Sequence, residues 1–309
     1  NPIQFDTISF PKPVLTKALL PKTRADEEKI SNALKRLCEE DPTLIVERNI
    51  ESHELLISAM GQVHLDVTLA RMKRRFGITV DVKTPKIPYR ETIRGTIKVQ
   101  GRHKKQSGGR GQFGDIWIEI SPLKKGSGFV FEDNIVGGAI PKTYIPAVEK
   151  GVKEAMEQGV VAGYPMVDIK IRLYDGSYHD VDSSEIAFKI AGSIGFKKGV
   201  LDCRPVLLEP IMIIDVAIPT EFVGDIMGDL NSKRGKVLGI DAEDNHQNIR
   251  AEVPMSEMLN YSADLNSMTS GKGVFTMEFN HYEDVPEHLK VNIIEGNQSD
   301  LKKASKEIV

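Results

Sequence analysis

The order of hydrophobic periodicities near the start of this 309-residue chain, β-α-β-β-α-β, returns near its end, and that repetition constrains the fold more than any single motif. In the first copy, Val14 to Leu20 reads as a strand and Asp26 to Glu39 as a helix with Ile30, Ala33, Leu34 and Leu37 on one face. Asp26, Glu27 and Glu28 fall in its first turn, where acids complement the helix dipole. Strands Thr43 to Arg48 and Glu54 to Ala59 follow, then a helix carrying Leu65, Leu69, Met72 and Phe76, then a strand from Ile78 to Val82. The second copy runs through strand Ile211 to Ile218, helix Glu221 to Lys233, strands Lys236 to Ala242 and Gln247 to Val253, helix Ser256 to Ser267 and strand Gly273 to Phe279. Each copy has the order and length of a ferredoxin-like sandwich, two helices on one face of a four-stranded antiparallel sheet.

The middle differs. A strand from Thr92 to Val99 leads into a glycine-rich basic loop and then into Asp115 to Ile120, where Ile116, Ile118 and Ile120 alternate with Asp115, Trp117 and Glu119. One face of that strand is expected buried and the other wet, and the pair reads as a hairpin with a long tip. Pro141 to Val161 reads as a helix with proline at its start, and Val167, Ile169, Ile171 and Leu173 alternate as a strand. The next helix is expected to be capped at Asp182-Ser-Ser-Glu185, with Ile186, Ile190 and Ile194 recurring along it.

Composition narrows the function classes. At 40% hydrophobic and 28% charged the chain is ordinary globular protein, and 41 basic against 44 acidic side chains leave a net charge of −3. Attraction to a polyanion must then come from a local patch. Cys38 and Cys203 stand apart with no CxxC, which fits a reducing, cytoplasmic setting and excludes a zinc ribbon. The most apolar stretch, Val206 to Pro219, is short and interrupted by Glu209 and Asp215, so no membrane role is indicated. The chain opens on Asn1-Pro2 rather than Met, which leads to the expectation of a segment upstream.

The local patch is present. From Lys98 to Arg110 the cations are Lys98, Arg102, Lys104, Lys105 and Arg110, with no acid between them, and Gly108, Gly109, Gly111 and Gly114 let backbone approach a phosphate. This loop reads either as a site for RNA or another polyanion, or as a solvated hairpin tip. The GxGxxG within Gly109 to Gly114 is not a dinucleotide fingerprint, because a strand follows it rather than a helix. No GxxxxGK[ST] occurs, so no nucleoside triphosphate hydrolysis is expected of these residues and no catalytic or metal-binding residue is assigned.

A second loop, Asp175 to Asp182, joins a strand to the capped helix. If it shares an end with the basic hairpin, Tyr178 and His179 are placed to stack on exposed RNA groups; otherwise it is a turn with an Asp cap. A hydrolase or metal site from His179, Asp180 and Asp182 is the alternative from another class, although it lacks a nucleophile–base–orienter set. His64 and the basic helix end Arg71, Lys73, Arg74 and Arg75 read as structural. Lys233, Arg234 and Lys236 form a second basic turn at a helix end capped by Gly235, and remain candidates for a phosphate contact.

Long strings carry a family resemblance: FPKPVLTKALLPKTRADEEKI, EEDPTLIVER and ISAMGQVHLDV in the first module, HKKQSGGRGQFG, IVGGAIPKTYIPAVEKGV and YPMVDIKIRLYDGSYHDVDSSEIAFKIAGS in the middle, and GDLNSKRGKVLGID and AEVPMSEMLNYSADLNSMTSGKGVFTMEF in the last. In this order they resemble domains III, IV and V of bacterial elongation factor G, the GTPase that drives translocation on the ribosome, or an elongation-factor-G-like paralogue. The resemblance implies an α+β chain in three domains, two ferredoxin-like sandwiches around a middle domain of the ribosomal-protein S5 domain-2-like type. The boundaries are a linker at 1–9, domains at 10–84, 85–205 and 206–283, and a C-terminal helix or tail at 284–309, where the family pattern is weaker.

For function, the resemblance implies a cytoplasmic protein that binds the ribosome: its RNA in both subunits, messenger RNA and transfer RNA. In that family the middle-domain tip reaches the decoding region. Here the tip loops would be Arg102 to Gln112 (with His103, Lys104, Lys105, Gly108, Gly109 and Arg110) and Ser177 to Asp182 (with Tyr178, His179 and Asp180). Lys233, Arg234 and Lys236 would face large-subunit RNA. GTP and Mg would belong to a G domain which, with a β-barrel domain, precedes this half in the family and would be its partner. Paralogues in ribosome recycling and ribosomal protection share the same three domains.

Overall fold

In a computed structural model, residues 10–49, 52, 54–106, 111–243 and 245–307 are described, the side chains at 24, 25, 27, 243 and 298–307 excepted. The elements run β1 Leu15–Pro21, α1 Arg24–Glu40, β2 Ile45–Arg48, β3 Leu55–Ala59, α2 Gln62–Phe76, β4 Val80–Lys83, β5 Arg90–Ile93, β6 Ile97–Lys105, β7 Gln112–Pro122, β8 Phe129–Asp133, α3 Ile145–Gln158, β9 Ile169–Ser177 and α4 Glu185–Asp202. Then come β10 Pro205–Pro219, a 3-10 turn Thr220–Phe222, α5 Val223–Ser232, β11 Lys236–Glu243, β12 His246–Pro254, α6 Met255–Met258, α7 Tyr261–Met268, β13 Val274–Asp284 and α8 Glu287–Glu307. Two compact units result, one from residues 1–88 with 210–282 and the other from 89–209 with 283–309. Among the described residues no helix is long and apolar enough to cross a membrane.

The first unit contains both ferredoxin-like modules. Their sheets have the matching orders β2-β3-β1-β4 and β11-β12-β10-β13. Ile30, Leu34 and Leu37 of α1 and Leu65 and Met72 of α2 pack over Leu19, Ile57 and Ala59, as the helical spacing anticipates. His64 is not idle: its Nδ1 accepts from Met60 N at 3.2 Å, which leaves Nε2 to donate to Asp41 Oδ2 at 3.0 Å. Asp41 also takes both Thr43 donors, and those bonds, with His64, hold its carboxyl below the usual aspartate value despite partial burial. Stability from that shift is present above the ordinary aspartate pKa of about 4 and is lost as pH falls through the lowered value. Burial, then Asp41, pushes the Cys38 thiol up, and burial, then Asp202, pushes Cys203 up to about 11, so both are poor nucleophiles at neutral pH.

In the last module two local expectations are corrected. The second helix is broken into α6 and α7 around Asn260. At the end of α5 the left-handed residue is Arg234 (φ 59), not Gly235. Gly235 is required instead by close approach, since it donates to Leu230 O at 2.8 Å and a Cβ there would lie 2.6 Å from that oxygen.

The second unit is built on the sheet β6-β7-β9-β8, with α3 and α4 packed on one face. The expected strand Thr92 to Val99 is two strands. Arg94 N and Gly95 N both donate to Cys203 O, at 3.2 and 2.8 Å, which turns the chain at the end of α4 and sends β5 to pair with residues 205–208 of β10. β8, parallel to β9, was not anticipated, and α3 starts at Ile145, after a turn closed by Tyr144 N on Pro141 O at 2.9 Å.

The cap of α4 is Ser184, whose hydroxyl accepts from Ala187 N at 3.2 Å, rather than Asp182. Its buried face is also not the isoleucine stripe. Ile186 is 63% and Ile194 40% exposed, while Ala187, Phe188, Ala191, Gly192, Gly195, Phe196 and Gly199 are buried. Glycines make this possible by letting backbones touch: a Cβ at Gly151 of α3 would overlap the carbonyl of Lys189, and one at Gly101 of β6 would overlap that of Ala191. Glu287–Glu307 forms α8, from which Asn297 Nδ2 donates to Ala162 O at 2.7 Å.

Candidate nucleic-acid interface

β6 and β7 pair antiparallel from Ile97↔Ile120 out to Lys105↔Gln112, so the basic segment crowns a hairpin. β9 pairs with the other side of β7 and ends at Asp115↔Ser177, which delivers residues 178–183 to the same end of the sheet. The two loops are bonded to each other there. Phe113 N donates to Asp182 O at 2.9 Å, Gly111 N to Asp182 Oδ1 at 3.0 Å, and Ser183 Oγ to Phe113 O at 2.9 Å. Ser183 Oγ in turn accepts from His179 N at 2.9 Å, and Ser183 N donates to His179 O at 3.0 Å. Ser183 is buried although its loop is not. A serine and an aspartate therefore clasp the hairpin to the second loop across about 70 residues of chain.

Outside the clasp the side chains face water. Arg102, Lys104 and Lys105 are exposed, and neither lysine has an acidic partner among the described residues. Arg102 lies over the Phe113 ring at 5.8 Å, and His103 Nε2 pairs with Gln112 Oε1 at 2.9 Å. Ser177 Oγ donates to Asp115 Oδ2 at 3.0 Å. Tyr178 is 44% exposed and the His179 side chain 58%, with Asp180 exposed beside them. Gly108, Gly109 and Arg110 lie outside the described residues. The described surface sets cations beside aromatic rings, which suits phosphate and unstacked bases.

The same geometry speaks to the hydrolase alternative. His179 Nδ1 accepts from Val181 N at 3.3 Å and lies 3.6 Å from Asp182 Oδ2, while the Ser183 proton is given to Phe113 O. These groups hold a loop together; they do not aim a nucleophile at a base.

Three family models match the chain in order: "Elongation Factor G, domain III" over residues 10–84, "Elongation factor G, domain IV" over 85–204 and "Elongation factor G C-terminus" over 206–293. The chain belongs to the elongation factor G family. A crystal structure of a protein from Thermus thermophilus is similar to it, with 44% identity and a TM-score of 0.82, over 95% of this chain and 44% of that one. The chain thus spans less than half the length of that protein. The α+β fold in three domains expected from the pattern is the family's, and the hairpin tip belongs to its domain IV.

In the C-terminal domain the three candidate cations have separate fates. Lys233 is 17% exposed and bound by Asp229 at 2.7 Å and Asp264 at 3.2 Å. Burial draws its pKa down, but the bonds to Asp229 and Asp264 outweigh that and raise it overall. Lys233 therefore serves the interior, which corrects its nomination for a phosphate. Arg234 bonds Glu257 at 3.1 Å and Ser256 at 3.0 Å. Only Lys236 projects, 78% exposed, with Glu252 4.0 Å away. Burial, then the charges of Asp229 and Asp264, pushes the Tyr261 hydroxyl far up.

Proposed function

We propose that this chain is the ribosome-binding portion of a translational GTPase, and that the domain IV tip engages messenger and transfer RNA in the decoding region during GTP-dependent translocation. The observation that carries this reading is the clasp: the cationic hairpin and the His179 loop are hydrogen-bonded into one tip. The bonds of Gly111, Phe113, Asp182 and Ser183 hold Arg102, Lys104 and Lys105 on the same end of the sheet as Tyr178 and His179, so phosphate and base contacts are offered together and less conformational entropy is lost on binding. Lys236 is the candidate contact of the C-terminal domain to large-subunit RNA, with Arg234 partly engaged by Glu257.

Nucleotide hydrolysis in this reading belongs to GTP and Mg in a G domain outside these 309 residues, since no P-loop sequence occurs within them. The tip supplies grip and the packed domains transmit motion. The test is single-turnover movement of tRNA and mRNA by the full-length factor. His179→Ala is expected to slow movement about fivefold, a barrier change of about 1 kcal/mol, with GTP hydrolysis on the ribosome unchanged. Equal rates of movement in the two proteins would reject the reading.

A further inference from the structure

We propose that the open face of the β6-β7-β9-β8 sheet, centred on Trp117, is a second RNA-contact surface that stacks an unstacked base. The inference rests on the reading of the tip as an RNA interface, and extends it down the sheet.

Trp117 is the only tryptophan in the chain. Its neighbours on β7, Ile116 and Ile118, point to the helices and are fully buried, whereas Trp117 stands on the opposite face, 37% exposed. A strand with one wet face ordinarily carries polar side chains there. The residues paired with Trp117 are polar: Gln100 on β6 and Asp175 on β9. By the two-residue period, Lys98 and Arg102 flank Gln100 on the same face, and Lys104 continues the row toward the tip. Cations and rings are interleaved along it, with Lys98 over Tyr174 at 5.6 Å and Arg102 over Phe113 at 5.8 Å.

The charges differ between the two halves of the face. Far from the tip they are neutralised internally, by Glu119 with Arg172 at 2.6 Å and Lys98 at 3.8 Å, and by Lys170 with Glu132 at 2.7 Å. Nearer the tip the acids are Asp115 and Asp175. Asp115 is occupied by Gln100 at 2.8 Å and Ser177 at 3.0 Å, and Asp175 by Gly176 N at 2.8 Å. Arg102 and Lys104 are not paired with an acid there among the described residues.

A protein partner would use a cluster of apolar side chains around its anchor. Directly across from Trp117 stand Gln100 and Asp175, and the ring next along β9, Tyr174, lies under Lys98 at 5.6 Å. Rings alternating with cations, rather than a cluster of aliphatic side chains, suit bases and their phosphates. The position is also continuous with the tip: Trp117 follows Phe113, whose backbone joins the clasp, by four residues, about 13 Å along the strand.

Because it is the sole tryptophan, Trp117 reports its own occupancy. The experiment titrates the chain with a uridine oligonucleotide of about ten nucleotides, a length within the usual site size for single strands. Tryptophan emission reports stacking, and anisotropy of the dye-labelled oligonucleotide reports binding. Quenching is expected to saturate together with anisotropy. Trp117→Ala is expected to weaken binding at least about fivefold, and Trp117→Phe to restore it to within about twofold, because stacking tolerates any aromatic ring. If Lys104→Glu/Lys105→Glu abolishes binding while emission stays constant and Trp117→Ala is neutral, the inference fails and the tip reading stands. If the oligonucleotide does not bind at all, both fail. Quenching by RNA-free ribosomal protein and not by RNA would also overturn it, in favour of a protein partner.

Discussion

Replacing Glu91 by alanine is expected to destabilise the unit that carries the tip by about 4 kcal/mol, although Glu91 touches neither tip loop. Glu91 is 1% exposed, and its carboxylate accepts four backbone N–H groups in the loop after α3: Val160 at 2.9 Å, Val161 at 3.0 Å, Ala162 at 2.7 Å and Tyr164 at 3.1 Å. Its own backbone closes the same loop, accepting from Val167 N and donating to Pro165 O, both at 2.9 Å. A single buried carboxylate thus replaces the secondary structure that this loop lacks. Removing it strands four donors, each costing about 1–3 kcal/mol less whatever entering water recovers. Glu91→Gln keeps the shape but turns two donors of its amide toward backbone donors, so a loss of about 2 kcal/mol or more is expected. Urea unfolding followed by Trp117 emission isolates this unit, and the midpoint should fall by about 2 M for the alanine variant at a slope near 2 kcal/mol/M. A change below about 0.5 kcal/mol would show that the cradle is solvated rather than stabilising.

Reversing Lys104 and Lys105 to glutamate is expected to weaken ribosome binding by about 100-fold near physiological salt while leaving stability within about 0.5 kcal/mol. Both are exposed at the end of β6, opposite Phe113 and Gln112, with no acid among the described residues to pair with. Neither supports the fold, so an effect on binding reads their charge alone. Each phosphate contact contributes about 0.7 to the logarithmic salt slope on single strands, so losing two should flatten it by about 1.4, and the new negative charges add repulsion. An unchanged slope would mean that these lysines face solvent in the complex.

The fold was legible where period and polarity agree. The twin β-α-β-β-α-β order and the alternation from Asp115 to Ile120 both come from one-sided burial, which the sequence writes directly. It was not legible where small residues carry the packing. The period-four isoleucines of α4 pointed to the wrong face, because Gly151, Gly192 and Gly101 bring backbones into contact and the buried surface sets Phe188 and Phe196 among alanines and glycines. Glu91 reads in sequence as one more solvated charge, since nothing local announces four donors about 70 residues away.

The tip divided similarly. Its cations, glycines and His179 are recognisable by type, whereas the clasp of Asp182 and Ser183 was hidden behind an apparent helix cap and depends on strand register. Lys233 misled for the opposite reason: a cation beside Arg234 and Lys236 is consumed by Asp229 and by Asp264, 31 residues further along.

The most direct test of the tip assignment is tethered cleavage. An iron chelate attached at Gln112→Cys, in a full-length factor whose other cysteines are replaced, generates hydroxyl radicals at the hairpin on the bound ribosome. Cleavage of small-subunit RNA at the decoding region, together with the messenger, is the expected result, and it should fade when Lys104 and Lys105 are reversed. Cleavage confined to large-subunit RNA, or none above an untethered control, would contradict the placement of this tip.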